Sequence, residues 1–205
     1  MTEQDLRAYA KTFPSQGGVE IGPWLEKYAA QVPPGSSIVE VGCWLGGGTA
    51  HLALGAMKSG APIVTYDRFF CPGDEEQGKA ARYGIKLTHG EDTLPRVRES
   101  LKPFGVAIDY RKGSWRKFDW DKKPIGLYVD DLTKNEFLWG EAMKAFLPSF
   151  IPEKTHLFLQ DYHFDEEAGP VYAAQKRYMA ANEKRFELVE DRLAGTTCAL
   201  FRFVG

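Results

Sequence analysis

A chain of 205 residues, 43% hydrophobic and 26% charged, has the make-up of a globular domain with a sizeable core, which excludes disordered and fibrous classes. Its formal charge of −2 comes from both signs scattered along the sequence, with no basic arm to neutralise a phosphate backbone, so no nucleic-acid partner is expected. No apolar run approaches the ~20 residues that cross a bilayer, so no membrane partner is expected either.

The first 35 residues read as a helical segment. Residues 2–13 form one helix, and Glu3, Asp5, Arg7 and Lys11 there are unlike a secretory leader. A loop at 14–18 leads to a second helix at 23–30, with Pro23 in its first turn and Pro33, Pro34 and Gly35 ending it. Residues 36–42 (SSIVEVG) are a β-rich apolar run closed by glycine, and read as a buried strand. A glycine-opened helix follows at 46–58, then a second strand at 61–67 (APIVTYD).

Residues 69–90, rich in glycine, charge and aromatics, read as a long irregular connection and a candidate lid inserted into the domain. Next come a helix at 92–101, strands at 105–110 and 124–130 (PIGLYVD), and a helix at 135–146. A fifth strand at 155–161 (THLFLQD) precedes one long helix at 167–183. Strands separated by helices imply parallel neighbours, right-handed crossovers and helices on both faces. Residues 186–191 and 197–203 are separated only by a turn with Gly195, and so form an antiparallel hairpin at the sheet edge. The expected fold is a single α/β domain over residues 1–205, with a doubly wound, mostly parallel seven-stranded sheet ending in that hairpin. Cys43, Cys71 and Cys198 are odd in number and lack metal-ligand spacing, as in a reduced, cytoplasmic protein.

The strongest local signal is EVGCWLGGGT (residues 40–49), between the first strand and the helix after it. Open α/β sheets bind ligands at the carboxyl ends of their strands, where glycines let backbone approach a ligand and a helix amino terminus attracts negative charge. A dinucleotide loop has glycine where this chain has Trp44, which argues against a pyrophosphate there. Asp67 ends the second strand, placed to accept hydrogen bonds from ribose hydroxyls, with Arg68 beside it. After the third strand come Gly113, Ser114 and Trp115; Ser114 is placed to contact an adenine and Trp115 to stack on it.

The spacing of Glu40, Gly42, Gly46 and Gly47 resembles the first motif of class I S-adenosylmethionine-dependent methyltransferases. Across VEVGCWLGGGT (39–49), IVTYDRF (63–69), GLYVDD (126–131), FLQDYHF (158–164) and ELVEDRLAGTTCALFRF (187–203), the chain resembles the macrocin-type, macrolide-sugar O-methyltransferases. The resemblance implies a Rossmann-like fold, S-adenosylmethionine as methyl donor, and a hydroxyl of a sugar or other small molecule as acceptor. It places Glu40, Gly42, Trp44, Gly46, Gly47, Asp67, Arg68, Gly113, Ser114, Trp115 and Asp130 at the cofactor. It also implies Mg2+ held by Asp130 and Asp161, whose hard oxygens suit that ion. Two positions depart from the pattern: Tyr162 stands where those enzymes carry Asp or Asn, and the stretch after Asp130 lacks their histidine.

A route without metal is equally open, with His163 as general base. If the run after the fifth strand stays extended, Asp161 lies on the same side and orients the imidazole. Trp24, Phe69, Phe70, Tyr83 and Trp115 are candidate lining for the acceptor pocket, and Trp139 and Phe146 belong to helix packing. His51, His89 and His156 read as structural. Two other functions stay open: a protein that keeps the fold and cofactor with lost or changed chemistry, and a nicotinamide-dependent oxidoreductase, which Trp44 and the terminal hairpin disfavour. A homo-oligomer is left open as well.

Overall fold

Seven strands, Ser37–Val41 (β1), Ile63–Asp67 (β2), Ile108–Lys112 (β3), Ile125–Asp130 (β4), His156–Leu159 (β5), Phe186–Glu190 (β6) and Ala199–Phe203 (β7), form one sheet. Its order is β3-β2-β1-β4-β5-β7-β6. The computed structural model describes residues 1–15, 20–113 and 117–205. β1 to β5 run parallel, while β7 lies antiparallel between β5 and β6. The expected hairpin is therefore present, with its second strand on the inner side.

Alternation along the strands builds two cores, one on each face of the sheet. Ile38, Leu127, Val129 and Phe158 pack with the helices Gly22–Ala29 (α2) and Gly47–Ser59 (α3), and with Leu6 and Ala10 of the helix Glu3–Ala10 (α1). Val39, Val41, Tyr128, Leu157 and Leu159 face the other way, toward the helix Glu136–Phe146 (α6). There Tyr128, Trp139, Phe146 and Phe150 form an aromatic cluster, with centroids 5.4 Å apart for Tyr128 and Phe146. Trp139 and Phe146 are thus packing residues, as their helical spacing implies.

Four elements differ from the sequence reading, each for a local reason. Residues 69–90 are not wholly irregular: they hold the helix Asp74–Ala81 (α4), preceding the helix Leu94–Leu101 (α5). The first turn of α4 is acidic (Asp74, Glu75, Glu76), which favours its amino terminus, but it buries only Ala80 and so has no apolar stripe to reveal it. The third strand starts at Ile108, because Gly105 adopts a left-handed φ of 65° and turns the chain first. The long helix at 167–183 is broken into Asp165–Ala168 (α7), a short 3-10 turn at Pro170–Tyr172, and Ala174–Ala181 (α8). Gly169, with φ of 100°, and Pro170, which lacks an N–H, make that break. The fifth strand ends at Leu159, so Asp161 and His163 lie in a turn.

No helix among the described residues is long and apolar enough to cross a membrane. Cys43, Cys71 and Cys198 are buried and unbridged.

Candidate functional site

The chain order reverses between β1 and β4, and the turn leaving β1 sits at that reversal. Gly42 and Gly46 have φ of 102° and 89°, a region open to glycine at little cost. A Cβ on Gly42 would lie 3.2 Å from the backbone carbonyl carbon of Asp131, and one on Gly47 would lie 2.2 Å from the Pro14 carbonyl oxygen. Glycine is therefore needed at 42 for conformation and at 47 for space.

Trp44 and Phe69 are also left-handed, each with φ of 48°, which costs a non-glycine residue roughly 1–3 kcal/mol. One carboxylate supports both. The Trp44 N–H donates to Asp67 Oδ2 at 2.8 Å, and the Phe69 N–H donates to Oδ1 at 2.7 Å. Burial raises the Asp67 pKa, opposed by the Phe69, Trp44 and Cys43 N–H groups. Beyond these donors the carboxylate keeps acceptor capacity, so the same group can brace the turn and still accept from a ligand.

Beneath the turn lies Glu40, fully enclosed on the central strand. Its Oε2 accepts the hydroxyls of Thr49 and Thr65, both at 2.6 Å, whereas Oε1 has no hydrogen-bond partner. Burial pushes its pKa up to about 7, against the pull of the two threonines. Glu40 thus ties β1 to β2 and α3 from below instead of lining the cleft.

Three adjoining hollows follow the carboxyl ends of the strands. The middle one, about 220 Å³, is walled by Gly42, Trp44, Asp67, Arg68, Asp131 and Lys134, with Phe70, Glu76 and Lys79 from the 69–90 segment. A recess at Ser15, Gly47 and Gln160 shares Gly42, Trp44 and Asp131 with it. A wider cleft of about 460 Å³ shares Asp67 and extends along Tyr110, Lys112, Gly113 and Phe118. The Gly113 N–H donates to the Asp67 carbonyl at 3.1 Å, bringing the ends of β2 and β3 together. Ser114 and Trp115 lie outside the described residues. Of the aromatic candidates, Phe70 lines the middle hollow and Tyr83 packs edge-on against Trp44 at 6.3 Å. Phe69 is core beside Tyr110, and Trp24 stacks on Tyr28 away from the cleft.

Asp130 does not reach the cleft. It is completely buried, and both its oxygens are occupied: Oδ1 accepts the N–H groups of Leu132 (3.0 Å) and Thr133 (2.8 Å), and Oδ2 the hydroxyls of Tyr128 (2.6 Å) and Thr133 (2.5 Å). The expectation that it meets cofactor or metal is corrected, because strand alternation turns it inward with Tyr128. Its neighbour Asp131 takes the cleft position instead. The doubled acid at the strand end was the signal, read one residue early.

The pairing of Asp161 with His163 is corrected as well. His163 is 8% exposed, with ring Nδ1 2.9 Å from Glu166 and Nε2 2.6 Å from Asp191. Both nitrogens are engaged away from the cleft, so the ring clasps the hairpin to the segment after β5 rather than serving as a base. Asp161 instead pairs with Lys134, Nζ to Oδ2 at 2.5 Å. Tyr162 packs on Phe201 with ring centroids 5.1 Å apart.

These residues fit the two implied ligands differently. Turn, carboxylate and cleft suit an adenosyl-amino acid. They do not suit Mg2+: Asp130 has no free lone pair facing the cleft, Asp161 is paired with an ammonium, and Asp131 is left as the one carboxyl at this strand end without an ion pair among the described residues, too few hard donors for that ion. Among the described residues, no group of three or more His, Cys, Asp or Glu is gathered to hold a metal ion.

No protein-family model and no curated protein sequence matches the chain. Solved structures do. The O-methyltransferase TomG from Streptomyces achromogenes, involved in tomaymycin synthesis and solved with S-adenosylmethionine, aligns over 100% of this chain and 92% of its own, at TM-score 0.62 and 14% identity. The Podospora anserina methyltransferase PaMTH1, bound to S-adenosylhomocysteine, aligns over 90% of this chain and 78% of its own, at 0.58 and 15%. The CcbJ methyltransferase from Streptomyces caelestis aligns over 91% and 97%, at 0.57 and 12%. At such identities the likeness establishes a shared fold: the chain has the seven-stranded α/β fold of these methyltransferases.

Proposed function

We propose that this protein is an S-adenosylmethionine-dependent methyltransferase acting on a hydroxyl of a small molecule. One observation carries the reading: at the reversal of strand order, a glycine turn and a carboxylate with lone pairs to spare face one cleft, and Asp131 and Lys134 close its other side. When bound, S-adenosylmethionine supplies a methyl group on a sulfonium, with a neutral thioether as leaving group. Asp67 accepts the ribose hydroxyls, while the 42–46 turn brings backbone close to the amino-acid portion. Gly113 borders the adenine side. The residues from the 69–90 segment cover the middle hollow, which supports a lid over donor and acceptor. Aligning acceptor, methyl and sulfur supplies much of the acceleration of such a displacement.

The reading extends to a cytoplasmic protein, supported by three buried cysteines without bridges. An oxidoreductase reading is disfavoured by Trp44, which would crowd a pyrophosphate at the turn.

Turnover tests the proposal. Protein incubated with S-adenosylmethionine and a panel of hydroxylated small molecules should release S-adenosylhomocysteine together with a singly methylated product, detected by mass spectrometry. Absence of methyl transfer across sugars, phenols and hydroxylated amino-acid derivatives, with the donor demonstrably bound, would contradict it.

A further inference from the structure

Two carboxyl groups and an ammonium meet where β4 and β5 end. Asp131 follows β4, its N–H donating to the Val41 carbonyl at 2.9 Å, and it borders both the recess and the middle hollow. Gln160, which precedes Asp161, borders the recess together with Asp131.

Lys134 completes the group. Its Nζ lies 2.5 Å from Asp161 Oδ2 and 4.9 Å from the centroid of the Phe164 ring, while 33% of its side chain remains exposed. It lines the middle hollow. Burial works against its charge, but Asp161 and Asp131 outweigh that and hold its pKa above the ordinary lysine value. A divalent cation at this junction would compete with the ammonium for Asp161, and would need several further hard donors besides. Asp130 supplies none, since four donors already occupy it.

We propose that the Lys134 ammonium takes the place of a divalent cation in this cleft, so that the acceptor oxygen meets a fixed protein charge and no metal. The inference rests on the methyltransferase reading above. A cation beside the acceptor favours the more negative oxygen that develops as it attacks. The oxygen–carbon bond forms as the carbon–sulfur bond breaks, the electron pair passes to sulfur, and the acceptor's proton leaves to water. Asp161 and Phe164 act as positioning groups that keep the ammonium in place.

The test uses Mn2+ as a paramagnetic probe. It is titrated by electron paramagnetic resonance into wild type, Lys134→Met, and Lys134→Met combined with Asp161→Asn. S-adenosylhomocysteine is titrated by calorimetry into the same samples. Wild type should bind Mn2+ no more tightly than the double variant. Lys134→Met, with two carboxyl groups relieved of their counter-ion, should gain on the order of tenfold in Mn2+ affinity. Lys134→Gln repeats the test if the Met variant does not fold. Mn2+ binding by wild type clearly tighter than by the double variant would overturn the proposal. So would folded Lys134 variants that gain no affinity. Failure of wild type to bind S-adenosylhomocysteine would instead overturn the cofactor reading, a result separable from the Mn2+ outcome.

Discussion

Replacing Glu40 by Gln tests the interior of the site through its pH dependence. A carboxyl at 4.5 when solvated and about 7 in the fold corresponds to about 3–4 kcal/mol in full, at roughly 1.4 kcal/mol per pH unit. The sign follows from proton count. Below pH 4.5 both states carry the proton, and the contribution is complete. As pH rises toward 7 the unfolded chain releases its proton while the buried carboxyl keeps it, so this contribution to stability is lost; above 7 both are ionised and the curve flattens. Gln keeps the acceptor for Thr49 and Thr65 but does not titrate. Urea unfolding, followed by tryptophan fluorescence from pH 4.5 to 8, should therefore show Glu40→Gln gaining on wild type by about 3 kcal/mol across that range. Parallel pH profiles for the two proteins would refute a buried, proton-binding Glu40.

Four further substitutions probe the cleft, its supports and an open control position. Asp67→Ala removes the acceptor of two turn N–H groups and of the proposed ribose hydroxyls, so calorimetry should show S-adenosylhomocysteine binding weakened by on the order of 100-fold; an unchanged Kd would remove that role. His163→Gln should cost about 1–2 kcal/mol in thermal unfolding through lost hydrogen bonds to Glu166 and Asp191, with cofactor affinity within about twofold. A loss as large as that of Asp67→Ala would return His163 to the site. Gly47→Ala sets a Cβ 2.2 Å from the Pro14 carbonyl oxygen and should destabilise by about 1–3 kcal/mol. Gly78→Ala, with nothing within 4 Å in α4, should be neutral or gain up to about 1 kcal/mol in the same denaturation assay; equal effects at both positions would contradict the packing described.

Most of the sheet was legible in the sequence because its parallel strands are buried on both faces, leaving apolar runs such as IVEV and GLYV that turn residues delimit. The terminal hairpin was legible for the opposite reason, two strands with no helix between them. What escaped had no such signature. α4 buries a single alanine, so its helix comes from local propensity and an acidic first turn. The Gly169-Pro170 break was visible in the residues but masked by the helix-forming stretches around it.

At the site, Asp67 and the glycine turn were readable from position, because strand ends and left-handed glycines have fixed geometric uses. The pattern ends the fourth strand at residue 130, as the structure does, but it does not show that Asp130 turns inward onto Tyr128 and Thr133 while the residue after the strand, Asp131, faces the cleft. The His163 ring was expected beside Asp161 on the premise of an extended run, and the strand stops at Leu159. Lys134 carried no sequence signal, since its pairing with Asp161 joins two different strand ends through space.

Isothermal titration calorimetry with S-adenosylmethionine and S-adenosylhomocysteine, run beside an NADH control, tests the central claim most directly. The account predicts binding of both sulfur ligands in the micromolar range and none of NADH. Folded protein that binds neither sulfur ligand, or that prefers NADH, would contradict it.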